Sequence, residues 1–131
     1  MRYIGIDYGS KRIGIALSDP DGSIAFPNKT LLLKDDTLDT IATLIEKEEV
    51  GSVVVGDARA LNGEANTVTA AADLFADALR DRTGLMVHRI FEGWSSQEAA
   101  RFAPKGKKHD DASAAAVILQ RYLDTLGTRV Q

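Results

Sequence analysis

The chain has 131 residues, 44% hydrophobic and 27% charged, with a formal net charge of −3 and no cysteine. That length suits one packed core over residues 1–131 and leaves no room for a two-domain enzyme, and the missing cysteines exclude a disulfide framework, a thiolate nucleophile and a Cys-based zinc site, consistent with a reducing cytoplasm. No apolar stretch approaches the roughly 18 residues of a membrane span, and the mildly acidic total argues against a general nucleic-acid coat, leaving only a local basic patch to meet a polyanion.

In chain order, Tyr3–Ile6 and Ile13–Leu17 read as two short apolar strands, of the kind buried within a sheet. Asp7 ends the first, where desolvation disfavours a carboxylate unless a cation or hydrogen bonds await it. Ser23–Leu33 reads as a third strand, with Pro27 marking an edge or an irregularity. Leu38, Ile41, Ala42, Leu44 and Ile45 recur at helical spacing behind an Asp35 or Asp36 cap. Gly51–Gly56 is a continuous apolar strand. Val68, Ala71, Ala72, Phe75, Ala78 and Leu79 mark a second helix, Leu85–Phe91 a fifth strand, and Ala112, Ala115, Ala116, Leu119, Tyr122, Leu123 and Leu126 a last helix. No repeat or linker divides the chain. The order βββαβαβα predicts an α/β fold: a mixed five-stranded sheet with a parallel half and helices on both faces.

Three carboxylates stand at element ends: Asp7 after the first strand, Glu92 after the fifth, and Asp111 at the start of the last helix. Strand ends are where ligands bind in open α/β sheets, and three carboxylates brought together repel unless a hard cation neutralises them. The expected ion is Mg²⁺ or Mn²⁺. Each acid also has an ordinary explanation: a turn for Asp7, solvation for Glu92 and helix capping for Asp111.

The segments Gly5–Asp19, Val53–Glu64, Glu92–Ala100 and Lys107–Leu123 together resemble the YqgF family of RNase H-like proteins over nearly the whole chain. The resemblance implies an RNase H-like fold and a nuclease, either processing the 5′ end of pre-16S ribosomal RNA or resolving Holliday junctions. By matching position it implies Asp7, Glu92 and Asp111 as catalytic acids and metal ligands, Asp7 bridging two ions and the others outside it. Two ions flanking a phosphodiester can activate water and stabilise the leaving oxygen, so no side-chain nucleophile is needed. Two departures stand out. The Asp-Glu-Arg expected at the fifth strand's end reads Phe91-Glu92-Gly93, and the Gly-Leu-Pro-Leu loop reads Gly56-Asp57-Ala58-Arg59. Arg59 stands where it could replace the missing cation.

Basic residues flank the acids. Lys11 and Arg12 follow Asp7, and Lys107 and Lys108 precede Asp111, so with Arg59 they are the expected phosphate contacts. Glycines fit the same picture: Gly9 is expected to take a positive φ in the hairpin turn, and Gly5 and Gly14 to leave bare strand for another backbone or the substrate. Trp94 could stack on an unpaired base; His88, within a strand, reads as structural. The expected partner is structured RNA rather than a DNA junction, met by a monomer or weak homodimer in the cytoplasm without membrane contact. Two other readings are a catalytically weak RNA-binding module in ribosome assembly and an actin-like nucleotide binder. The second lacks the partner domain that would close over the nucleotide, and the chain has no P-loop.

Overall fold

The computed structural model describes residues 1–57, 67–90 and 111–130. Three strands come first: β1 (Arg2–Tyr8), β2 (Arg12–Ser18) and β3 (Ala25–Leu32). They are followed by α1 (Thr37–Lys47), β4 (Val50–Asp57), α2 (Thr67–Thr83), β5 (Val87–Ile90) and α3 (Asp111–Val130). The strands form one sheet in the order β3-β2-β1-β4-β5. The opening meander is antiparallel, whereas β4 runs parallel to both β1 and β5, the mixed sheet expected of this element order.

Alternation along the strands divides the core between two faces. Ile4, Ile6, Ile13, Ile15, Val53 and Val55 pack with Ile41 and Ile45 of α1 and Ala72 and Leu79 of α2. Ala16 and Val54 pack on the other face with Ala115, Ile118, Leu119 and Leu123 of α3. Each fully buried Ile contributes about 1.5–3 kcal/mol through burial. Pro27 sits on the edge strand, as expected, and beside an irregularity: Ile15 pairs with Lys29 but Ala16 with Pro27, so Asn28 is the extra residue of a bulge.

Three local expectations need correction. Asp36 precedes α1 but makes no side-chain cap. Thr37 fixes that entry instead, its Oγ1 accepting the Lys34 N–H (2.8 Å) and donating to the Leu32 carbonyl (2.9 Å). The fifth strand starts later, at Val87, because the chain leaves α2 through Gly84 at φ 74°. Gly9 has no positive φ; its N–H donates to the Arg12 carbonyl (3.0 Å), and an added Cβ would stand 2.7 Å from that oxygen. Glycine is needed there for closeness rather than handedness.

The turn from β2 to β3 is held by Asp19, whose Oδ1 accepts the N–H groups of Ser23 (2.7 Å) and Ile24 (3.0 Å). These bonds, the Ile24 one foremost, hold its carboxyl below the ordinary value of 3.8. Among the described residues, no helix is long and apolar enough to cross a membrane.

Candidate functional site

Asp7 faces α3. Its neighbours Ile6 and Tyr8 belong to the opposite core, while Gly5, two residues back on the α3 side, lies under Leu119, whose Cβ is 2.6 Å from where a Gly5 Cβ would be. Burial pushes the Tyr8 phenol above its ordinary 10.0, and its ring packs on Phe75 at 5.2 Å, so it takes no part in the site.

Asp7 is only 7% exposed and pairs across the sheet with two glycines, Gly14 on β2 and Gly56 on β4. Directly opposed residues share a face, so both glycines open the sheet surface beside the carboxylate. Helix α3 fills that opening. A Cβ on Gly14 would fall 1.8 Å from the Asp111 carbonyl oxygen, and one on Gly56 would fall 2.8 Å from Ile118 Cδ1. The first residue of α3 therefore rests on the strand position opposite Asp7, and a pair of acids distant in sequence shares one end of the sheet. The expectation of bare strand at Gly5 and Gly14 holds, and the approaching backbone belongs to α3.

Asp111 has a 24% exposed side chain, and its Oδ2 lies 3.0 Å from Nε of Arg12 at the start of β2. Arg12, expected as a phosphate contact, is thus paired with an acid of the site, although its side chain remains 63% exposed. Its neighbour Lys11 is exposed, and the Lys11 carbonyl accepts the Leu33 N–H (2.8 Å), which fixes the turn. Glu92, Arg59, Lys107, Lys108 and Trp94 lie outside the described residues. His88 stacks on Tyr122 of α3 at 4.9 Å and 27°, a packing role in keeping with the expectation.

Sequence reading did not foresee the Arg12 pair with Asp111 or the part of Gly56 beside Asp7. Adjacency in the ladder creates both, and local sequence carries no signal for it.

The donor set suits a hard divalent ion. Two carboxylates at one sheet end offer the oxygen ligands that hard divalent ions prefer. Among the described residues no cluster of three or more metal-ligating side chains forms.

The model of the RuvX family, described as Holliday junction resolvase, matches residues 1–125. A protein of Maridesulfovibrio salexigens named "Putative pre-16S rRNA nuclease" is 36% identical over 132 residues, covering 94% of this chain and 98% of that one. One of the same name from Bordetella petrii is 39% identical over 125 residues, covering 94% and 95%. Among solved structures, Thermus thermophilus RuvC superposes with a TM-score of 0.63 at 15% identity, covering 98% of both chains. The fowlpox virus Holliday junction resolvase superposes at 0.59 and 14% identity, covering 96% of this chain and 99% of that one. At such identities the likeness is one of fold, an RNase H-like mixed sheet with helices on both faces.

Proposed function

The chain belongs to the RuvX family, the YqgF family of the sequence resemblance, and on that premise we propose that it is a metal-dependent nuclease that trims the 5′ end of pre-16S ribosomal RNA. The observation that carries the reading is the seating of Asp111 on Gly14, directly across the ladder from the buried Asp7. The relatives' shared name supports the substrate.

Asp7 and Asp111 hold the ions in this reading, and Glu92 completes the set as the third acid. Bound divalent ions lower the pKa of a ligating water and neutralise charge on the scissile phosphate. Asp7, anchored in the middle of the sheet, serves as the fixed ligand. Asp111 enters as the first residue of α3. Lys107 and Lys108, just before α3 in the sequence, and Lys11 in the β1–β2 turn bind the flanking phosphates, together with Arg59, which follows β4 in the sequence. A monomer suffices for a single RNA strand.

The family's description and the resolvase folds favour a second reading, cleavage of a four-way DNA junction, for which two copies would have to act symmetrically. One panel separates them: precursor RNA, single-stranded RNA and a four-way junction, each with Mg²⁺, Mn²⁺ or chelator. The expected result is ion-dependent cleavage of the precursor, reduced at least about 10–100-fold by Asp7→Asn, with the variant folded and no less stable than wild type without metal. Junction cleavage alone would select the second reading. Undiminished cleavage by a destabilised Asp7→Asn would make Asp7 a turn former and end the catalytic reading; ion-independent RNA binding without cleavage by wild type would point to an assembly module.

A further inference from the structure

The charge of Arg12 is already engaged by Asp111. Its Nε lies 3.0 Å from Asp111 Oδ2, yet 63% of its side chain faces solvent. Exposed pairs of this kind are weak, so a competitor can break this one easily. An ion ligated by Asp111 would be such a competitor, since it and the guanidinium seek the charge of the same carboxylate. A guanidinium is also weakly hydrated and presents a planar fork that matches phosphate oxygens.

Resting on the nuclease reading above, we propose that Arg12 is an exchangeable counter-cation: it neutralises Asp111 before the ion arrives, and the ion displaces it onto a phosphate of the incoming strand. The location supports the exchange. Arg12 opens β2 two residues before Gly14, which carries the backbone of Asp111. A guanidinium that leaves the carboxylate therefore stays at the mouth of the site, where a strand sharing ions with Asp7 and Asp111 must pass. Ion and strand then bind cooperatively through one side chain, and by linkage each tightens the other. A purely structural Arg12 would staple β2 to α3 and affect stability alone.

The test reads binding rather than turnover. Mn²⁺ affinity is measured without nucleic acid, by electron paramagnetic resonance or calorimetry. The affinity for a phosphorothioate RNA oligonucleotide is then measured with Mn²⁺ and with chelator. Arg12→Gln is expected to bind Mn²⁺ about two- to fivefold more tightly, the factor set by loss of an exposed competing pair. Wild type should gain about fivefold or more in RNA affinity on adding Mn²⁺, and Arg12→Gln should lose part of that gain, keeping only what the shared ions supply. Arg12→Lys, which keeps the charge but not the fork, should fall between them and guards against a folding defect. Lys11→Ala removes an equal charge from the same turn and should change Mn²⁺ affinity by less than about twofold. Equal shifts of Mn²⁺ affinity in Lys11→Ala and Arg12→Gln would overturn the proposal, as would normal Mn²⁺ binding with the full RNA gain retained in Arg12→Gln. If wild type binds no Mn²⁺, or binds it equally well after Asp7→Asn, the nuclease reading of the site fails, and this inference fails with it.

Discussion

Gly14→Ala tests the junction on which the site depends. The added methyl would lie 1.8 Å from the Asp111 carbonyl oxygen, 2.1 Å from its carbon and 2.8 Å from the Ala112 nitrogen. Ordinary contact begins at about 3.4 Å, so the start of α3 would have to retreat by roughly 1.6 Å, and since all three atoms are backbone no rotamer change can relieve the clash. Overpacking of this kind costs about 1–3 kcal/mol. The same displacement carries Asp111 away from Asp7, and a misplacement near 1 Å can cost about 100-fold in rate. Gly84→Ala is the matched control: it strains a φ of 74° but meets nothing within 4 Å. It should lose about 1 kcal/mol and keep full activity. Urea unfolding and initial cleavage rates on one RNA substrate measure both effects. A Gly14→Ala protein as stable and active as wild type would refute the placement of α3 on β2, and with it the pairing of the two acids.

Lys107→Ala combined with Lys108→Ala should weaken nucleic-acid binding and lower the log–log salt slope by about 1.5, as expected for two lost phosphate contacts; an unchanged slope assigns these two lysines no phosphate role. Gln120→Ala should cost about 1–3 kcal/mol, because Gln120 Oε1 accepts the N–H of Ala25, a residue 2% exposed, and its Nε2 donates to the Ser23 carbonyl. An unchanged urea midpoint would count against that latch. Asp19→Ala should be less stable than wild type at neutral pH. The carboxyl's folded pKa is lowered, so its contribution is present above 3.8 and fades as pH falls through the lower folded value. The gap between the two proteins should therefore narrow on acidification, and a gap that widens would contradict the assignment.

Much of this protein was legible in sequence because its local signals agree with its final packing. The apolar runs around Ile4 and Ile15, the helical spacing from Leu38 to Ile45 and the placement of Pro27 each reflect short-range sterics and burial, which neighbouring residues express directly. Asp7 and Asp111 were legible as acids at element ends for the same reason. Tertiary structure decided what those ends meet. The insertion of β4 between β1 and β5 sets Gly56 beside Asp7, and the return of α3 across the meander brings Asp111 onto Gly14 and within reach of Arg12. It also changed the meaning of single residues: Arg12 became the partner of an acid, and Gln120 became a tie between α3 and the turn at Ser23. These contacts join positions about 100 residues apart, and no local propensity encodes them, because their energy exists only after the sheet has formed and the helix has closed over it.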